Sequence, residues 1–295
     1  MVRLGHSLLG PSIYATKSDG QLSSQSASSP TAMFKWNTKA VSPAISTVII
    51  TAATIVLVLV ASNYAYQTLE RNEGLAEFGV AKKAMLAFDD AVKSIAWKTN
   101  SSRSVRFVAS YGALELLPNA LNVTVLVQVG ADCRFFTFQT GLIRYYTSVN
   151  YVTYGGNYKE YILGDEKPVV SSTQSAGQIA IEQQSRWVNV TLEYRVCAMK
   201  TFEGEVRGEN LTYIDIYIIK IDVSRRSSLT GELDLKARCV NVATPLSVQF
   251  SAQQENTQAI VFASFGGGPQ RSWSTAVKKG IVVFNFIVST VSVGV

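Results

Sequence analysis

The residues that could carry chemistry are few and scattered. General acid–base catalysis needs titratable groups that meet at one place. Asp89 and Asp90 are adjacent on a helical pattern, do not share a face, and read as parts of a solvated surface. Asp215 and Asp222 stand an odd number of residues apart on a strand pattern, which sends them to opposite faces. Asp165 and Glu166 precede Pro168 in a stretch that reads as a loop. The one histidine is His6, so Ser-His-Asp and Cys-His chemistry lacks its base in everything beyond the leader. Cys133, Cys197 and Cys239 have no close spacing, whereas a zinc site uses paired ligands. The strand patterns put Cys239 on an apolar face and Cys197 on a polar one, so no bond between them is expected. Gly266, Gly267 and Gly268 run into Pro269 without a following Lys-Ser/Thr, which makes a turn and not a phosphate loop. No catalytic residue, metal or cofactor is expected, and the chain does not read as an enzyme.

Two other sets invite recognition. Tyr145, Tyr146, Tyr151, Tyr154, Tyr158 and Tyr161 crowd around Gly155-Gly156. Such a cluster can stack on sugars or a partner surface, or simply pack at a strand edge. Asn-X-Ser/Thr sequons occur at Asn100, Asn122, Asn189 and Asn210. The pairs Asn122/Thr124 and Asn189/Thr191 both fall on faces expected to be wet, where a glycan attaches in a secreted protein.

The elements that would hold these residues are legible from charge and periodicity. The net charge is +6, and Arg3, Lys17, Lys35 and Lys39 against Asp19 place half of it before residue 41. The remainder is too mild, and too free of basic runs with interleaved aromatics, for nucleic acid. Residues 1–32 are rich in Ser, Ala and Thr with no periodic pattern, and Met33 is the more natural start of a short basic leader. From Val41 to Leu69 there is no charged side chain. An apolar helix beyond about 18 residues is long enough to cross a bilayer, so residues 41 to about 65 are expected to span one. Lys35 and Lys39 then stay in the cytoplasm and the rest faces outward. Pro43 falls in the first turn, where a missing N–H costs little.

The helical period continues through Leu75, Phe78, Ala81, Met85, Phe88, Val92 and Ile95, one apolar stripe. Glu77, Lys82, Lys83, Asp89, Asp90 and Lys93 lie mostly off it, and Gly74 and Gly79 are candidate bend points. After residue 100 the period becomes two. Segments 122–129, 187–196 and 232–239 alternate apolar and polar residues, as strands with one wet face do. In 211–223 the apolar face moves from Ile214, Ile216 and Ile218 to Ile219, Ile221 and Val223, which calls for a bulge or a change of neighbour near Ile218. Further strands are expected at 104–109, 134–139, 142–149, 178–183, 246–250 and 281–293, with turns at Tyr111-Gly112, Gly155-Gly156 and Gly266–Pro269. The segment Gly280 to Val295 is uncharged and apolar on both faces. It is too short to span a membrane and rich in β-branched residues, so it reads as an interior strand. The fold class is α+β: a long N-terminal helix followed by an antiparallel β-sandwich-like head. The expected divisions are a leader over 1–40, a helix over 41–98 and an extracellular head over 99–295.

Lys39-Ala40 followed by Val-Ser-Pro-Ala-Ile-Ser-Thr-Val-Ile-Ile resembles the class III signal of archaeal type IV pilins. The resemblance covers roughly residues 35–98; the head resembles nothing nameable. It implies cleavage by a prepilin peptidase between Ala40 and Val41, on the cytoplasmic side, with the helix retained. It further implies membrane anchoring before assembly and packing against other pilin subunits through the N-terminal helices in an extracellular filament. The function would be structural and adhesive, and the size of the head suits a minor, tip or accessory subunit. Ile45 stands at the fifth mature position, where many bacterial pilins carry Glu, and the archaellin pattern is not matched. The alternative is an uncleaved single-pass surface protein whose β ectodomain binds a ligand.

Overall fold

The structure, a computed structural model, describes residues 43–266 and 271–295. Lys39, Ala40 and Val41, the leader, and Gly267, Gly268 and Pro269 lie outside the described residues. One α-helix, α1 (Pro43–Ile95), precedes twelve strands: β1 (Ser102–Val129), β2 (Asp132–Ser148), β3 (Lys159–Leu163), β4 (Val169–Val170), β5 (Gly177–Gln183), β6 (Trp187–Tyr194), β7 (Val196–Val206), β8 (Glu209–Val223), β9 (Ser227–Ala252), β10 (Thr257–Phe265), β11 (Arg271–Val277) and β12 (Gly280–Gly294). Contact density divides the chain at Leu57/Val58, and everything that follows about packing belongs to the larger, C-terminal unit.

The strands form one hydrogen-bonded sheet in the order β3-β5-β6-β2-β1-β9-β12-β8-β7-β4, with β10 and β11 continuing from the far half of β1. Most pairings are antiparallel, as expected, but β12 runs parallel to β8 and β4 parallel to β7. The parallel pair arises because β8 and β9 do not pair with each other: β12 enters between them, parallel to one and antiparallel to the other. The C-terminal segment is thus an interior strand.

β1, β2, β8, β9 and β12 are long enough to serve two cores. Near the helix, Phe107, Leu114, Ile143, Leu192, Ile221, Leu235 and Val291 close on Phe78, Met85, Phe88 and Val92. Farther along, Val125, Val127, Val261, Ile214, Ile216, Phe250 and Phe284 form a second core. There β1 pairs with β2 and β10, while β9, β12, β8 and β7 pair among themselves. Two unpaired layers with one core between them are a sandwich. β8 shows how one strand feeds both. Ile214, Ile216 and Ile218 face the second core and Ile219, Ile221 and Val223 the first. Its register with β12 is unbroken, so no bulge is present; β7 stops pairing at Tyr217 and the neighbour changes there.

The helical stripe is as expected from Phe78 to Ile95, with one correction. Leu75 is 52% exposed. Gly74 and Gly79 do not interrupt α1; a Cβ at Gly74 would lie 2.7 Å from the Tyr151 ring, so this glycine admits a side chain from the sheet domain. Tyr111-Gly112 is not a turn but part of β1, at the place where pairing with β9 lapses between Ala109 and Leu114.

Candidate functional site

The feature with the clearest functional bearing is the first half of α1. Every residue from Ile45 to Leu69 is exposed, including Ile49, Val56, Leu57, Leu59 and Val60. Among the described residues this is the one helix long and apolar enough to cross a membrane. Several of its polar side chains bond within the helix. Thr54 and Thr68 donate to the carbonyls of Ile50 and Tyr64, each at 2.8 Å, and Thr51 does the same to Thr47. Gln67 Nε2 donates to Asn63 Oδ1 at 3.0 Å. A helix whose hydroxyls bond its own backbone leaves few groups demanding water, a requirement of lipid and of a close helix bundle alike.

The second half is fastened to the sheet by three carboxylates. Glu77 is buried and accepts from the backbone N–H groups of Ser110, Tyr111 and Gly112 at 2.7, 2.9 and 3.1 Å and from Tyr145 Oη at 2.8 Å. These are the amides released where β1 leaves β9. Glu70 accepts from Tyr151 Oη at 2.9 Å, and Glu73 from Tyr111 Oη. Burial, and then the bond to Glu77, hold the Tyr145 phenol far above its usual range. The bond to Glu73 pushes Tyr111 up to about 12. Glu77 was expected off the packed stripe; the correction follows from the donors waiting opposite it. Part of the tyrosine cluster is explained here as well, since Tyr145 and Tyr151 bind the helix.

Asp89 also departs from expectation. It is 1% exposed, not solvated. Lys93 Nζ lies 2.5 Å from Oδ2, yet neither carboxylate oxygen receives a well-directed hydrogen bond. A Cβ at Gly177 would come 2.0 Å from Oδ1, so only glycine lets the carboxylate in. Burial raises the Asp89 pKa, against the lowering effect of Lys93. Beside it, burial and then the Asp89 charge raise Tyr194. Arg195 is buried and ties down the loop ahead of β5: it donates to Asp165 Oδ1 at 2.6 Å, to the carbonyl of Lys167 at 3.3 Å and to that of Ser175. At the helix end, Cys239 Sγ at 3.1 Å and Ser289 Oγ donate to the free carbonyl of Ala96.

The remaining candidates are spread out. Asn100 and Asn122 are exposed. Asn189 and Thr191 are buried, so the expected wet face there is corrected: it is covered rather than open. Asn210 is half-buried and donates through Nδ2 to the carbonyl of Lys279 at 3.0 Å. All three cysteines are free; Cys133 is exposed, Cys239 buried as expected, and Cys197 buried against expectation. The last correction has a simple cause: β6 ends at Tyr194 and β7 begins at Val196 with different partners, so the alternation restarts. Asp215 accepts from Asn285 Nδ2 at 2.9 Å and Asp222 is exposed, so the two are not a pair. No cluster of three or more His, Cys, Asp or Glu that could hold a metal occurs among the described residues.

No protein-family model, no curated protein and no solved structure matches this chain. The fold and the site alone define a class: a β domain built around the second half of a helix whose first half is apolar and exposed.

Proposed function

We propose that this protein is a type IV pilin-like subunit of an archaeal cell-surface filament, with a structural and adhesive role and no catalytic step. One observation carries the reading. A single helix is divided into an uncharged, exposed half and a half that is the core of the β domain. A helix of that kind serves first as a membrane anchor and then as the strand of a helical bundle, with the heads outside. Apolar surface of this extent is not left in water by a stable protein. The Lys39-Ala40-Val41 signal supplies the release step, cleavage by a prepilin peptidase ahead of the helix. Of the four sequons, Asn100 and Asn122 are the glycan acceptors that exposure favours.

N-terminal sequencing of the protein extracted from cells tests the reading. The expected first residue is Val41, and Lys39→Glu is expected to block processing. Recovery of intact chains still carrying Phe34 to Ala40 would leave the permanently anchored surface protein instead.

A further inference from the structure

We propose that the turn between β2 and β3, residues 149–158, rests in the headgroup layer of the bilayer that α1 enters, so that one end of the β domain is a lipid-facing surface. The inference rests on the membrane anchorage proposed above and is independent of cleavage and of a filament.

Height along the helix is the first observation. The uncharged run of α1 ends at Leu69, and Glu70 and Arg71 follow it. The sheet domain meets the helix at that same height. Tyr151 Oη donates to Glu70, its ring lies against Gly74, and Asn150 and Tyr151 line one notch with Gln67, Glu70 and Arg71. At 1.5 Å per residue, Gly74 is about 7.5 Å beyond Leu69. The headgroup layer is about 5–7 Å deep on each side of the hydrocarbon. A helix inserted to Leu69 therefore brings the turn down to the headgroups.

Composition is the second. From Tyr145 to Tyr158 there is no charged side chain, although Asn150 and residues 153–157 are exposed. Tyr64 and Tyr66, 73% and 67% exposed, stand on the helix just before the turn's level. Trp187 is also exposed and lies at this end of the sheet, opposite Ser148. Tyr and Trp gather at the membrane–water boundary because one end of each ring is apolar and the other polar. Arg71 and Arg186 are exposed at the same end and suit lipid phosphates. Bracing is the third. The N–H groups of Tyr154 and Gly155 donate to Gln183 Oε1 at 2.6 and 3.1 Å, and the Tyr151 ring stands edge-on to Tyr111, with centroids 5.4 Å apart. A surface already held in place loses little freedom on contact. The helix carboxylates at this level, Glu70 and Glu73, each accept from a phenol.

The test places the full chain in vesicles of phosphatidylcholine and phosphatidylglycerol and reads one spin label by its collisions with oxygen, which concentrates in lipid, and with a nickel chelate, which stays in water. Asn150→Cys, Thr153→Cys and Ile55→Cys are each made together with Cys133→Ser; Cys197 and Cys239 are buried and do not label in the folded chain. The native chain labelled at Cys133, at the other end of β2, is the aqueous reference. At positions 150 and 153, nickel collisions are expected to be several-fold lower than at Cys133 and oxygen collisions higher. Adding Tyr154→Asp should restore nickel access at position 150. If positions 150 and 153 match Cys133 while position 55 is lipid-protected, the proposal is overturned and the anchor stands. Protection from both reagents, the mark of burial in protein, overturns it as well, as does protection unchanged by Tyr154→Asp. Water access at position 55 removes the anchorage and the proposal together. Thermal melts establish that each variant folds; if Asn150→Cys does not, Thr153→Cys carries the test alone.

Discussion

Around the helix, the sheet domain buries Glu77, Asp89 and Arg195 together with the phenols of Tyr145 and Tyr194. In the sandwich beyond, Val, Ile, Phe and Ala side chains do the packing, and no carboxylate or cation is buried among the described residues there. The difference shows what each core has to specify. Two sheets of β-branched residues find their spacing through their own ladders. A helix lying on a sheet has no ladder to set its position, and an apolar stripe repeats every turn, so a slip by one turn would cost little. Glu77 removes that freedom: it is matched to three amides and one phenol at a single break in β1. Buried polar groups that fix register are a recognised use of an otherwise costly feature.

The strongest way to break the contrast is to remove the helix from its core. A chain beginning at residue 100 should not fold, whereas one beginning near residue 68 should be soluble, with mainly β circular dichroism. Each of Phe78, Met85, Phe88 and Val92 contributes roughly 1.5–3 kcal/mol by its burial. Equal stability of the two chains would mean that the sandwich alone suffices. Next, Glu77→Ala should cost about 3–5 kcal/mol in denaturant unfolding, because four donors lose their acceptor. Thr212→Val, at the buried polar position of the sandwich, should change stability by less than about 1 kcal/mol.

A third effect is one of pH. Burial raises the folded-state pKa of Asp89, and that of Glu193. The folded protein therefore holds these protons more tightly than the unfolded chain does. That stabilisation is fully present below the ordinary Asp value of 3.8 and is lost as pH rises through the raised value. The melting temperature of the native chain relative to Asp89→Asn should therefore rise on acidification from neutral pH; a flat difference would remove Asp89 from the comparison. The smallest effect is in thiol labelling. Cys133 should react in the folded state, while Cys197, pushed up to about 12 by burial, and Cys239 stay silent until the chain opens. Reaction of Cys239 before Cys197 under mild denaturant would show that the helix-packed core opens first.

The strands legible in the sequence were those with one buried and one open face, such as 122–129 and 232–239. β3, β4, β7, β10 and β11 gave no such signal. β10 puts Ile260 and Phe262 on its outer face beside buried Val261 and Ala263, so no alternation is visible. β7 passes from three buried residues to an exposed edge. The parallel pairing of β12 with β8 could not be read, because the register between strands remote in sequence is not a local property. The membrane-length helix was legible outright. The polar contacts of the helix core were not: Glu77 and Asp89 look like surface residues until their partners, more than 30 and more than 80 residues away, are placed. The break at Tyr111-Gly112 was visible as a turn, a correct sense of interruption with the wrong geometry.

The place of β12 also governs how the domain can close. It follows both β8 and β9 in the chain, yet it fills the gap between them in both cores. Until it arrives, both cores lack a wall, and its partners are dozens of residues earlier in the chain. Long-range closure of this kind is slow and leaves apolar edges open in the meantime. The domain therefore closes in one late step, when β12 enters between β8 and β9.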